Sequence, residues 1–400
     1  MLSGKKIVLG VTGGIAVYKA VDLVSRLRKA GAEVRVVMTK AAAEFVTPLT
    51  FKEISGNSVA VSMWAENQEF NVEHIALADW ADLIIVAPAT ANILAKAANG
   101  IADDLLSTVI LAAKSPIIVC PAMNCQMYAN PITQSNLKKL AEFGFVIMSP
   151  ASGFLACGTS GIGRLPEPSE IVSFVRHYLS LKNGDLKGLK VLVTAAGTRE
   201  PIDPVRYVGN RSSGKMGYAV AQAAADRGAE VVLVTGPSAL TPPPYVELVK
   251  VETTIEMMDA VLARYSDMDV VIKAAAVADF CPHDVAKQKI KKATDDSLTI
   301  VLDKNPDILK KLGELKEKQF LVGFAAETQN LLANAAEKIK KKNLDLIVAN
   351  DVTMADAGFN CDTNVVKFLF ANGEVRSLEK MSKFEVAQEL LNEVKAAMKK

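Results

Sequence analysis

Apolar runs that end at glycines set the rhythm of this chain. KIVLGV (residues 6–11) is followed by a glycine turn, then Val17, Ala20, Val21, Val24 and Leu27 recur at helical spacing, Gly31 stops the helix, and EVRVVM (33–38) is a second apolar run. A 3.6-residue period between two buried-type strands predicts a strand–helix–strand unit. The pattern returns with LKVLVTAAG (189–197), the long segment TREPIDPVRYVGNRSS, a helix from about Gly214 to Arg227, Gly228 as its stop and EVVLVTGP. Two such openings predict two α/β domains. DLIIVAPA and PIIVCPA in the first half, and DVVIKAAAVAD, FLVGFAAE and DLIVAND in the second, are continuous apolar runs suited to parallel strands covered on both faces. The expectation is two doubly wound, Rossmann-like domains with mainly parallel sheets, residues 1–180 and 190–400, joined by a polar, turn-rich linker at 181–189.

Ligands of such folds bind at the carboxyl ends of the strands. After the first strand stands Gly13-Gly14-Ile15-Ala16, which is not GxGxxG, and the second strand ends in Thr39-Lys40 where a dinucleotide site offers an acid. Backbone N–H groups at a helix start still make a phosphate site, and a hydroxyl at 39 suits a mononucleotide; the glycines can equally serve close strand–helix packing alone. IIVCPA delivers Asn124 to a turn, with Ala89, Thr90 and Asn92 placed beside it by the neighbouring run. An amide can orient a carboxylate, or merely cap the turn that follows. His74 reads as a catalytic group or as a hydrogen-bonded histidine at a helix edge. Cys157 sits in SGFLACGTSGIGR (152–164), whose four glycines are too many for a helix or a stable strand and suit a flap that approaches other backbone closely.

Charge and cysteine content remove several classes of function. Among 400 residues, 46 Lys and Arg face 44 Asp and Glu, a net charge of +2, so no global field favours nucleic acid or an anionic membrane. Five cysteines with no CxxC pair and three histidines make neither a disulfide framework nor a zinc site. MLSGKKIVLGV is too short an apolar opening for a signal sequence, and no apolar run has the roughly 18 residues of a membrane span. A cytoplasmic location is expected.

Taken in order, GGIAVYK, EHIALADWAD, APATAN, PAMN with Met127, and ACG on the glycine-rich segment resemble the flavin-dependent cysteine decarboxylases. The second half, with GTREPIDPVRYVGNRSSGKMG, AAAVADF, KIKK, NPDI, GFAAET and KNLDLIVAND, is similar to phosphopantothenate–cysteine ligases, and the order of the halves resembles the bifunctional coenzyme A biosynthesis enzymes of bacteria. The resemblance implies a flavoprotein-like first domain that binds FMN through Gly13, Gly14, Ile15, Ala16, Thr39, Ala89, Thr90, Asn92 and Met127. It makes Cys157 the acid that returns a proton after decarboxylation, His74 the base, and Asn124 the holder of the substrate carboxylate. For the second domain it implies an acyl-cytidylate made from 4'-phosphopantothenate and CTP, with Mg2+ held largely by the CTP phosphates, and attack by cysteine to give phosphopantothenoylcysteine. Lys289 is then the mobile cation and Asn210 contacts the activated intermediate, while Asp279, Asn305, Pro306, Asp307, Ile308, Phe324, Lys338 and Lys342, together with Lys289, line the nucleotide site. Without it, KIKK and the lysines at 338–342 read as solvated charge. GNRSSGKM is no P-loop, because Met216 stands where Ser or Thr would meet Mg2+.

The resemblance further implies homo-oligomers, with trimers through the first domain and dimers through the second combining to a dodecamer. Two rivals remain. An NAD-dependent oxidoreductase is disfavoured by the missing GxGxxG and strand-end acid, and a non-catalytic flavin-binding regulatory subunit by Cys157, His74 and Asn124 occurring together.

Overall fold

The computed structural model describes residues 2–64, 72–154, 158, 160–291, 298–327, 331–351 and 361–398. The chain separates into two compact units, Met1–Tyr178 and Leu179–Lys400.

In the first unit β1 (Lys6–Val11), β2 (Glu33–Met38), β3 (Val59–Ala60), β4 (Leu83–Ala89), β5 (Ile117–Pro121) and β6 (Val146–Ile147) form one sheet of order β3-β2-β1-β4-β5-β6. All its pairings are parallel. β4 is buried along its whole length, as a strand with helices on both faces requires. Ile84, Val86 and Val119 pack with Leu94, Leu106, Leu137 and Leu140 of the covering helices. The first helix, Val17–Lys29, buries Val17, Ala20, Leu23, Val24 and Leu27; its inward stripe therefore takes Leu23 rather than the anticipated Val21, which is only half-buried. β7 (Ala151–Phe154) and β8 (Ser160–Arg164) make an antiparallel hairpin from the glycine-rich segment. The reading of that segment as a flap without stable strands is corrected here. Glycine at 161 and 163 lets β8 lie against the Met123–Cys125 turn, where a Cβ would meet Cys125 Cβ at 2.9 Å and Met123 O at 2.3 Å. Cys157 lies outside the described residues.

The segment expected as linker begins inside a helix, Pro168–Asn183. Ile171, Val172 and Val175 are buried and give it an apolar stripe, which carries the helix beyond the point where polar composition suggested a break.

In the second unit β9 (Lys190–Ala195) is followed by the hairpin β10 (Arg199–Pro201) and β11 (Tyr207–Gly209), which occupies much of the segment read as a long loop. Then come β12 (Glu230–Thr235), β13 (Glu247–Lys250), β14 (Val270–Lys273), a second hairpin of β15 (Phe280–Pro282) and β16 (Leu302–Lys304), β17 (Phe320–Glu327) and β18 (Leu346–Asp351). β19 (Thr363–Asn364), β20 (Val366–Phe370), β21 (Val375–Ser377) and β22 (Met381–Ser382) complete the strands. The main sheet runs β13-β12-β9-β14-β17-β18-β20-β21, parallel as far as β18 and antiparallel over the last two strands. Its faces carry two cores, one under the helices Lys215–Asp226 and Lys383–Met398, the other under Thr254–Tyr265, Ile308–Glu314 and Leu331–Lys341. This is a doubly wound α/β architecture in each unit.

Candidate functional site

At the carboxyl ends of β1, β2 and β4 the first unit opens into two adjoining cavities of about 580 and 680 Å3 that share Gly13, Thr90, Ala91 and Met127. Thr12 lines the smaller one. Its buried hydroxyl donates to Pro88 O at 2.7 Å and accepts from Thr90 N at 3.1 Å, so the ends of β1 and β4 are tied across 76 residues of sequence. Gly13 is needed for a close approach, since a Cβ there would lie 2.5 Å from Ala41 Cβ. Thr39 and Thr90 cap the helices that follow them, accepting from Ala42 N at 3.2 Å and Ile93 N at 3.5 Å.

The smaller cavity is polar at its far end, with Thr39, Lys40, Asn92 and Lys96. The larger is walled by Ile15, Pro88, Met123, Met127, Phe154 and Leu165, with Lys19 and Arg164 at its edge. Lys19 is held by Leu165 O at 3.2 Å and Glu167 Oε1 at 2.7 Å. An apolar slot continuous with a polar lobe beside a helix N-terminus fits a planar ring carrying a phosphorylated tail. Asn124 lines the larger cavity and also caps the next helix, its Oδ1 accepting from Gln126 N at 2.8 Å. The capping reading is thus seen directly, in a residue that also faces the cavity. Ala89 is buried behind the wall, and His74, half-buried on the helix Glu73–Trp80, lines neither cavity.

The second unit places a cavity of about 760 Å3 beyond β14, lined by Lys273, Asp279, Lys304, Asn305, Pro306, Asp307, Ile308 and Lys342 among others. Asp307 starts the helix Ile308–Glu314 by accepting from Lys310 N at 3.0 Å, and its other oxygen pairs with Lys342 Nζ at 2.8 Å. Burial pushes its carboxyl up, but Lys342, the Lys310 N–H and nearby Lys273 together hold it below the usual carboxylate range. Phe324 lines a separate cavity of about 160 Å3 with Ser212, Ser213, Lys215 and Lys383. Lys289 and Lys338 line neither. Lys289 is exposed on a segment anchored by buried Asp203, which accepts from Ile290 N at 3.1 Å and pairs with Arg206 at 2.6 Å. Asn210 donates from Nδ2 to Ala276 O and Val277 O, both at 3.1 Å, tying the end of the first hairpin to the segment after β14.

Sequence reasoning missed Lys273. It ends an apolar strand and points a cation into the cavity, and burial followed by repulsion from Lys342 lowers its pKa from 10.5 to about 8, against the pull of Asp307 and Asp279. Between those two pH values the unfolded chain binds more protons than the folded one, so stability rises with pH across that window; below about 8 the folded chain carries the whole cost of the buried ammonium, roughly 3 kcal/mol. Lys273→Met is therefore expected to raise the unfolding temperature of the second unit by several degrees at pH 7, an advantage that shrinks as pH climbs from 8 toward 10.5. Thermal unfolding over a pH series checks this, and equal stability of variant and parent at pH 7 contradicts it.

Comparison with known proteins agrees with the division of the chain. The family described as "Flavoprotein" matches residues 1–180, and the DNA/pantothenate metabolism flavoprotein C-terminal domain matches residues 186–398. The Coenzyme A biosynthesis bifunctional protein CoaBC of Bacillus subtilis (strain 168) is 49% identical over 401 residues, covering 100% of this chain and 98% of the relative. That of Haemophilus influenzae (strain ATCC 51907 / DSM 11121 / KW20 / Rd) is 50% identical over 394 residues, covering 98% of each. A crystal structure of the C-terminal domain of such a protein is 45% identical and covers 54% of this chain and 98% of its own, with a TM-score of 0.47.

Proposed function

The chain belongs to the family of bifunctional coenzyme A biosynthesis proteins, carboxy-lyase and acid–amino-acid ligase in one polypeptide, and from that premise we propose which of its residues carry each reaction. In the first unit the adjoining cavities would hold FMN, with Gly13, Gly14, Ile15, Ala16 and Met127 available to its ring and Thr39, Thr90 and Asn92 to its polar tail. When bound, FMN would supply a reversible two-electron couple, oxidising the thiol-bearing carbon of phosphopantothenoylcysteine so that the electrons of the departing carboxylate have a C=S to enter, and giving the hydride back to the enethiol left after CO2 departs. Asn124, fixed by its cap, holds that carboxylate. Cys157 returns the proton, since a thiol of pKa about 8.5 is largely protonated at neutral pH. His74 completes the site as base across the subunit contact of a homotrimer.

In the second unit CTP fills the 760 Å3 cavity. Lys273, Lys304 and Lys342 give it the positive field that a triphosphate requires, and Asp307 keeps Lys342 in place. Lys289 swings in as the mobile cation on the α-phosphate while the 4'-phosphopantothenate carboxylate displaces pyrophosphate, and Asn210 contacts the acyl-cytidylate that cysteine then attacks. Mg2+ is proposed to arrive on the CTP phosphates. No helix among the described residues is long and apolar enough to cross a membrane, and a cytoplasmic location is proposed.

One observation carries this reading: each unit has a large cavity at the carboxyl ends of its parallel strands, lined in the first by Gly13, Gly14, Ile15, Ala16, Asn124 and Met127 and in the second by Asp279, Asn305, Asp307 and Lys342. Purified protein given 4'-phosphopantothenate, cysteine and CTP is expected to release pyrophosphate and CO2 in equal amounts and to form 4'-phosphopantetheine. Pyrophosphate without CO2 removes the first half of the proposal, and neither product removes both.

A further inference from the structure

Asn305 stands in the wall of the 760 Å3 cavity with 7% of its surface exposed. Its amide orientation is fixed chemically. Nδ2 lies 2.9 Å from Ala278 O, a carbonyl that can only accept, so the nitrogen must face it; the second Nδ2 hydrogen goes to Thr254 Oγ1 at 3.2 Å. Thr254 can accept there because its own hydroxyl proton is spent on Glu200 Oε1 at 2.7 Å, and the same carboxylate oxygen takes Thr254 N at 2.9 Å. Thr198 closes the network, its hydroxyl 3.1 Å from Thr254 Oγ1 and accepting from Ala278 N at 3.0 Å. Glu200, Thr254 and Thr198 are all buried, and Asn305 N is itself held by Asp279 O at 2.9 Å. Both amide hydrogens are thus committed inward, and no donor among the described residues reaches Oδ1, the one group Asn305 has left for the cavity.

We propose that Glu200 and Thr254 are positioning residues for base selection: they lock the Asn305 amide so that its Oδ1 accepts a hydrogen bond from the exocyclic amine of cytosine and repels the 4-oxo group of uracil. The inference rests on the reading of this cavity as the nucleotide site. An acceptor oxygen cannot serve phosphates, which the surrounding lysines attract, whereas Met258, Leu262, Val277 and Ile308 supply the apolar wall that the face of a base needs. Without Thr254 Oγ1 only Ala278 O still holds Nδ2, so the amide swings about that one bond and its Oδ1 is no longer aimed at the exocyclic group of the base; loss of the lock therefore acts on the choice between two bases and not only on stability. A buried polar group left facing its own kind is a strong means of rejection.

The test is ligase kinetics of the full-length protein with CTP and with UTP, read as the ratio of their kcat/KM values. Thr254→Val and Glu200→Leu are expected to lower that ratio about tenfold or more, CTP losing more than UTP, while Thr254→Ser and Glu200→Gln, which keep the required hydroxyl or acceptor, stay within about twofold of the parent. Asn305→Ala, which leaves the helix start untouched, must lower the ratio as well. An unchanged ratio in Asn305→Ala, or in Thr254→Val with a normal unfolding temperature, overturns the proposal. Equal losses for both nucleotides at constant ratio overturn it too, since Oδ1 would then serve the sugar. Should Asn305→Ala and Lys342→Ala both leave the KM for CTP unchanged, the nucleotide-site reading itself falls, and that result is distinct because it appears in affinity.

Discussion

Gly13→Val is expected to produce a protein that takes up no flavin and has lost decarboxylation while its CTP-dependent ligase reaction is intact. A Cβ at position 13 would sit 2.5 Å from Ala41 Cβ, 2.7 Å from Ala41 C and 2.8 Å from Ala41 O, all inside the closest approach that carbon tolerates. Two of those atoms are backbone, so no side-chain rotation relieves the clash, and valine adds two methyls to it. The turn after β1 must therefore move, and with it the wall that both cavities of the first unit share. The clash is particular to position 13, since a Cβ at Gly14 meets only Thr90 Cγ2 at 3.8 Å, an ordinary contact. Flavin absorbance per chain and separate assays of CO2 and pyrophosphate check the result. Retention of a full complement of flavin by Gly13→Val would show that the cofactor is held elsewhere. The ligase half is spared because its cavity is built wholly from the other compact unit.

What sequence made visible, and what it did not, follows from how far apart the interacting residues lie. The glycine turn at 13–16 follows an apolar strand and so is visible as a strand-end turn, while Asn305–Ile308 are marked only by the resemblance of the local NPDI motif, and both line cavities. Thr12 acts through partners 76 and 78 positions away, and Glu200 and Thr254 through contacts spanning 51 to 54, pairings that no periodicity encodes. Lys273 was hidden differently: a lone lysine at the end of VVIK looks like the solvated edge of a strand, and only the cavity beyond it reveals a cation with nowhere else to go. The helix Pro168–Asn183 was cut short by its polar composition, since three buried aliphatic side chains suffice to hold it. His74, Lys289 and Lys338 are the opposite case. The resemblance picked them out, yet they line none of these cavities.

Cys157→Ser separates the two stages of the decarboxylase reaction, and the expected result is a protein that binds flavin and releases CO2 yet forms 4'-phosphopantetheine about a hundred- to ten-thousand-fold more slowly, the range a positioned proton donor commands. The hydroxyl of serine matches the thiol closely in shape but gives up its proton far less readily, so binding of the substrate survives and only the return of a proton to carbon suffers. The strands on either side of this residue support that separation. β8 is pinned to the turn that carries Asn124 by the hydrogen bond from Met123 N to Gly163 O at 2.9 Å, and Phe154 of β7 lines the cavity where the substrate carboxylate is proposed to sit. Those contacts involve Met123, Gly163 and Phe154 and do not depend on the identity of the side chain at 157. Quantifying CO2 against thiol product in the same reaction distinguishes the outcomes. Equal yields of the two at the parent rate would remove Cys157 from the mechanism, and loss of CO2 release along with product would place it before the carboxylate departs instead of after.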